Sequence, residues 1–208
     1  MIRKWRLRVA ASCAVLLWTG CASSKRTAPP EPAAAVEATT SVGAQVMARH
    51  MAAQGLADRY ACPALPVLAD DAIALAEALV HAAGKQPVCF VGSSLGGFYA
   101  TYLAEKHDAK AVLINPAVEP HIGLRTYLGR QQNLHSGEPY DLTQAHLAAW
   151  ARLVVPRISP QRYLLLVETG DEVLDYRKAI ERYAGAEQVV RAHRPAAGGE
   201  PQAGDPDK

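Results

Sequence analysis

Three kinds of residue in this chain carry the chemistry of acyl transfer: a serine framed by glycines, an acid closing an apolar run, and a few histidines. The segment Gly92-Ser93-Ser94-Leu95-Gly96 has the G-x-S-x-G pattern. A serine hydroxyl is a poor nucleophile until a base takes its proton and N–H donors hold the developing oxyanion. Glycines two before and two after the serine let a strand turn sharply into a helix, lifting Oγ at the strand end. Ser94 is therefore the candidate nucleophile, and Leu95, directly after it, offers the first oxyanion-hole N–H. The acid expected at the end of a later strand is Asp171, which closes Leu164 to Gly170. Glu172 and Asp175 are the nearby alternatives, read as a surface charge and a helix N-cap. For the base, only His193 follows Asp171, and it is flanked by Arg191, Arg194 and Pro195. A solvated tail residue is the competing reading of it. His50, His81, His107, His121, His135 and His146 are expected in surface or capping roles.

The elements needed to hold these groups can be read from apolar patterning. Val88 to Val91, Ala111 to Ile114 and Leu164 to Val167 are brief apolar runs without alternation, as expected of parallel strands covered on both faces. A fourth strand is expected at Gln188 to Val190 and a short one around Arg59 to Cys62. Helices are expected from Ser41 through Met51, over Ala69 to Ala83 with Ile73, Ala76, Leu79 and Val80 on one face, from Gly97 to Lys106, and over Asp175 to Tyr183. Strands alternating with helices indicate an α/β fold with a mostly parallel sheet. Between Asn115 and Pro160 lies a long insertion with short helices.

With 208 residues, half of them apolar, and a net charge of +2, the chain suits one catalytic domain and carries no nucleic-acid footprint. At the N-terminus, Arg3, Lys4, Arg6 and Arg8 precede the apolar run Val9 to Trp18 and then Thr19-Gly20-Cys21. This is a signal-peptide layout in which Cys21 would carry a lipid. Trp18 departs from the aliphatic residue usual there. Residues 22–40 are rich in Ala, Pro, Ser and Thr and read as a flexible linker. The domain is expected over 41–191, with 192–208 a disordered tail. Cys62 and Cys89 read as small apolar fillers. No cysteine and histidine spacing suggests a metal site, and no cofactor is expected.

Five segments resemble, in order, the motifs of the YqiA-type esterase family of small bacterial α/β-hydrolases. They are Ala61-Cys62-Pro63-Ala64-Leu65-Pro66, Val91 to Gly97, Asn115-Pro116-Ala117-Val118, Tyr127-Leu128-Gly129 and Thr169 to Arg177. The resemblance covers roughly residues 42–190. It implies an α/β-hydrolase fold and hydrolysis of short acyl esters or thioesters, with Ser94 and Asp171 matching the family's nucleophile and acid. His146 matches a histidine of the family's insertion. Two family pieces have no counterpart: an opening strand ending in His-Gly-Phe, whose loop gives the second oxyanion donor, and a Gly-Gly-x-His-x-Phe segment carrying the base. The first would lie between Arg59 to Cys62 and Val88 to Val91, so a central strand is expected to be missing, unless an uncleaved Ala14 to Trp18 fills its place with Gly20 near the site. The abrupt change of character at both ends suggests a frameshifted or rearranged gene. The expected function is a serine esterase or thioesterase of impaired activity. The alternative is an inactive hydrolase-fold lipoprotein or fragment acting as a binding module. If the signal is used the protein is a lipoprotein anchored on the periplasmic side; otherwise it is cytoplasmic, as the family is.

Overall fold

The computed structural model describes residues 42–132, 137–170 and 174–192. Cys21, His135, Asp171, Glu172 and His193 lie outside them, as does Ser41, so those expectations have no structural counterpart. In chain order the elements are helix α1 (Val42–Ala53), a 3₁₀ turn (Ala57–Arg59), α2 (Ala69–Ala82), strand β1 (Cys89–Ser94), α3 (Leu95–Lys106) and β2 (Lys110–Pro116). Then come α4 (Pro120–Gly123), β3 (Gly129–Gln132), β4 (Pro139–Leu142), α5 (Gln144–Arg152), β5 (Tyr163–Glu168), α6 (Tyr176–Arg182) and β6 (Glu187–Arg191). The main sheet runs β1-β2-β5-β6, every neighbouring pair parallel, while β3 and β4 form an antiparallel hairpin.

Residues of one sheet face follow from period two and the register. Phe90, Ala111, Leu113, Tyr163, Leu165 and Val167 are each 4% exposed or less. Against them α2 sets Ala69, Ala72, Ile73 and Ala76, the stripe a 3.6-residue repeat predicts, and α3 sets most of its length. Glu77 of α2 holds Lys106 at 2.8 Å and His107 at 2.9 Å, tying the foot of α3 to α2. On the other flank, the Tyr163 hydroxyl donates to Glu105 at 2.6 Å, and Gln188 donates to the carbonyls of Ile180 and Tyr183. Trp150 of α5 donates its indole N–H to the Tyr99 hydroxyl at 2.8 Å, fixing the insertion on α3.

Three local readings change. No strand forms at Arg59 to Cys62: a 3₁₀ turn occupies Ala57–Arg59, and Tyr60 to Cys62 run on without ladder pairing, with a lone bridge at Pro63. A strand needs a neighbour for its N–H and C=O groups. Among the described residues the outer edge of β1 carries no paired strand, so this segment has nothing to add to. Helix α3 starts at Leu95 rather than Gly97, because the turn passes into the helix at Ser94 itself. The insertion also contains the hairpin, where only short helices are read from sequence.

Candidate active site

Ser94 sits at the junction of β1 and α3 with φ 53° and ψ −123°, a backbone that residues with a Cβ rarely adopt. This is the strained elbow the pattern predicts. Its glycines are explained by contact. A Cβ on Gly92 would overlap the Gly96 carbonyl, and one on Gly97 would lie 2.6 Å from Cβ and 2.9 Å from Cα of Pro116. Helix α3 can therefore start directly over β1 and against β2 only if both positions lack a side chain. Leu95 is the first helical residue, and N–H groups of a first turn have no acceptor within the helix. Its N–H is thus free of the helix ladder, where an oxyanion would need it.

The strand beside the elbow contributes a brace that sequence reading missed. Pairing of β1 with β2 skips a residue: Ser93 faces Ile114, while Ser94 faces Pro116. The skipped residue, Asn115, has φ 41°, and its Oδ1 accepts the Glu168 N–H at 2.8 Å. The step brings the Ala117 N–H to within 2.9 Å of the Ser94 carbonyl. Asn115 so links the carboxyl ends of β1, β2 and β5. The signal was present as Asn-Pro directly after an apolar strand, since asparagine is the common non-glycine occupant of left-handed positions.

Because the four strands are parallel, the chain leaves β1 at Ser94, β5 at Glu168 and β6 at Arg191 along one sheet edge. The Thr169 N–H donates to the Arg191 carbonyl at 3.0 Å, holding the last two of these exits together. Asp171 falls in the short gap between Gly170 and Leu174, and His193 follows Ala192. Asp175 is the N-cap of α6, its carboxylate accepting the Arg177 N–H at 3.0 Å, as its position suggested. His146 belongs to a capping box on α5, where Nδ1 accepts the Thr143 N–H at 3.1 Å. His107 is engaged by Glu77, and His50 and His81 lie in the last turns of α1 and α2. His121 is on α4, with a buried Nδ1 that has no hydrogen-bond partner among the described residues.

Between α3, the start of the insertion, the segment after α5 and α6 is a cavity of about 260 Å³, lined by none of the elbow residues 92–97. Phe98, Val118, Leu153 and Val154 give it apolar walls, and Thr101 with Tyr183 a polar floor. The Thr101 hydroxyl donates to the Gly97 carbonyl at 2.8 Å, leaving its oxygen to meet the Tyr183 hydroxyl at 2.6 Å. Burial pushes the Tyr183 phenol up to about 12. Burial likewise raises the thiols of Cys62 and Cys89, which are unbridged, so neither supplies a ready thiolate. Among the described residues no three metal-ligating side chains gather.

A model of the uncharacterised protein family UPF0227 matches residues 38–196. In structure, the chain is similar to a protein from Agrobacterium vitis S4 that is assigned as a hydrolase, at TM-score 0.51 and 20% identity over 61% of this chain and 60% of that one. It also matches the esterase domain of a Rhodothermus marinus protein at TM-score 0.42 and 16% identity, covering 59% of this chain and 57% of that one. A monoacylglycerol lipase from Paleococcus ferrophilus matches at TM-score 0.42 and 15% identity, over 65% of this chain and 68% of that one. This chain thus spans less than two thirds of the first two. The likeness to the Agrobacterium protein is one of fold: a parallel sheet flanked by helices, as in α/β-hydrolases.

Proposed function

Since the chain belongs to the uncharacterised protein family UPF0227, the family of YqiA-like esterases, we propose that it descends from, and retains the nucleophile of, a serine hydrolase acting on short acyl esters or thioesters. The observation that carries the reading is the elbow: Ser94 at φ 53° between a strand and a helix, with Gly92 giving room to the Gly96 carbonyl and Gly97 to Pro116 of β2. In the proposed reaction Ser94 Oγ attacks the acyl carbon as its proton passes to the base, and the Leu95 N–H holds the oxyanion; the alcohol or thiol leaves with that proton, and water then attacks the acyl-Ser94 carbon, releasing the acid and restoring the Ser94 hydroxyl. Asp171 orients the base. The cavity starts beside Val118 and Glu119, just past the Ala117 that bonds the Ser94 carbonyl, and its volume suits a short acyl chain.

The second reading is an inactive hydrolase-fold binding module, and it is supported by the lack of a counterpart to the family's Gly-Gly-x-His-x-Phe segment in this sequence. From β6 to β1 is three inter-strand steps, about 14 Å. His193 lies two residues past Arg191, a reach of about 7 Å of backbone plus its own side chain. Losing one oxyanion donor costs about 10²–10³ in rate, and losing the base leaves little beyond binding. A fluorophosphonate probe and a short-chain nitrophenyl ester decide between the readings. Labelling and turnover by wild type, with neither in Ser94→Ala, is the enzymatic outcome. Silence of the wild type in both assays refutes it, and full turnover by His193→Ala would remove that residue as base. The proposal includes a membrane tether through lipidated Cys21, which the intact mass of the membrane-fraction protein checks.

A further inference from the structure

Arg182, the last residue of α6, lines the cavity together with Tyr183, which caps that helix. Its guanidinium is held in place: Nη1 donates to the Pro156 carbonyl at 3.3 Å and Nη2 to the Val155 carbonyl. These bonds use two of five N–H donors and bring no counter-charge. Among the described residues no carboxylate oxygen lies within 4.0 Å of Arg182, whereas Arg162 faces both Glu105 and Asp108. Arg182 is half-buried, so water only partly replaces the missing anion. Its charge also reaches the cavity floor. Burial raises the Tyr183 phenol, and the Thr101 hydrogen bond and the Arg182 charge each offset part of that rise.

The floor has no proton to offer a ligand. Thr101 spends its hydroxyl hydrogen on the Gly97 carbonyl, so the Tyr183 hydroxyl must donate to Thr101. Of the lining side chains, Arg182 is therefore the one with donors left, and they are charged. The other charged residue of the lining, Glu119, is exposed, so water can solvate its carboxylate. Glu119 stands two residues past Ala117, whose N–H holds the Ser94 carbonyl, while Arg182 belongs to the α6 side. Phe98 and Thr101, three apart on one face of α3, carry the cavity along that helix from its first turn. At the ~30 Å³ that a water-sized group occupies in a liquid, about 260 Å³ holds about nine such groups, as many as the heavy atoms of an acyl chain of about five or six carbons with a second carboxyl. We propose that the cavity takes an acyl chain whose far end is a carboxylate bound by Arg182, so that the favoured substrate is a half-ester or half-thioester of a short dicarboxylic acid. The substrate rests on the serine-hydrolase reading above; the carboxylate site at Arg182 does not.

The test compares two unreactive amides on the full chain, glutaramate and butyramide, which differ by the far carboxylate alone. By calorimetric titration at low salt, glutaramate binds about ten- to hundredfold tighter, the range of a hydrogen bond to a charged group. Salt at about 1 M narrows that difference in the wild type, so the test survives a variant that does not fold. Arg182→Gln abolishes the difference, and Glu119→Gln does not weaken glutaramate, as it would if the ligand also carried an ammonium group. In turnover, the wild type prefers the nitrophenyl half-ester of glutaric acid to nitrophenyl butyrate by at least about tenfold in kcat/KM, and Arg182→Gln brings that ratio to about one. Equal binding of the two amides, or a difference that survives both salt and Arg182→Gln, overturns the site. A glutaramate site in an enzyme that prefers the butyrate ester overturns the substrate. Silence toward both esters refutes the hydrolase reading and the substrate with it, while the two amides still decide the Arg182 site.

Discussion

Asn115 is the position where one substitution series separates backbone strain from hydrogen bonding at the catalytic edge of the sheet. Its φ of 41° is costly for a side chain without local polar stabilisation, and its Oδ1 satisfies the Glu168 N–H at 2.8 Å. Asn115→Asp keeps an acceptor and tolerance of the left-handed region. Asn115→Gly keeps only the backbone freedom, and Asn115→Ala loses both. A single neutral hydrogen bond at a half-exposed site contributes about 1 kcal/mol. Forcing a residue with a Cβ into the left-handed region costs about 1–2 kcal/mol, less for Asn itself. The expected losses are therefore below ~0.5 kcal/mol for Asp, about 1 for Gly and about 2 for Ala, read from urea denaturation midpoints at constant slope. Because the same residue creates the register step behind the Ser94 carbonyl, fluorophosphonate labelling of an active protein should fall in the same order. An Ala variant as stable as wild type, or a Gly variant less stable than Ala, would refute the reasoning.

Gly97→Ala places a carbon 2.6 Å from Pro116 Cβ, about 1 Å inside contact distance, so α3 must shift off β2. Overpacking of this kind costs about 1–3 kcal/mol. Ser94 labelling should drop by about 10² because the elbow moves with the helix, whereas labelling at the wild-type rate would contradict the close approach. Tyr183, 2% exposed, has its phenol raised from 10.0 to about 12 by burial. The folded state therefore holds this proton more tightly than the unfolded state. The associated stability is complete below pH 10 and is lost as pH rises towards 12, on the order of 2–3 kcal/mol. Tyr183→Phe should flatten that part of the stability profile at the cost of about 1 kcal/mol at neutral pH; an unchanged alkaline slope would assign the loss to other tyrosines.

The elements that define the fold were readable because each had a local signature. The apolar runs at Ala111 to Ile114 and Leu164 to Val167 fall inside β2 and β5, that at Val88 to Val91 overlaps β1 from Cys89 on, and Ile73 and Ala76 of the α2 stripe are buried as its period predicts. Asp175 showed its capping role by standing just before an amphipathic segment. The strand expected at Arg59 to Cys62 failed for a non-local reason: strand propensity is realised only beside a partner, and no strand pairs with β1 on that side among the described residues. The hairpin of β3 and β4 was missed because its four-residue strands are polar and carry no apolar alternation. Asn115 was noted only as part of a motif, and its bracing role was missed because that work is done by backbone angle and register, which leave only a dipeptide trace in sequence.

These differences separate two questions that the elbow appears to join. The face holding α2, α3 and α6 is a closed unit: Phe90, Leu113 and Leu165 are fully buried, and Glu77 and Glu105 pin both flanks of α3. That unit fixes Ser94 and the Leu95 N–H without any contribution from the outer edge of β1. The elbow backbone at Ser94 therefore follows from packing of this one layer, and reactivity of the serine does not. Stability measurements on the Asn115 and Gly97 variants therefore report on the layer, while probe labelling reports on what reaches Ser94 from outside it. Agreement of the two would mean that a base is held by the same layer. Divergence, with stable variants and a silent serine, would mean that the layer outlived the chemistry it once served.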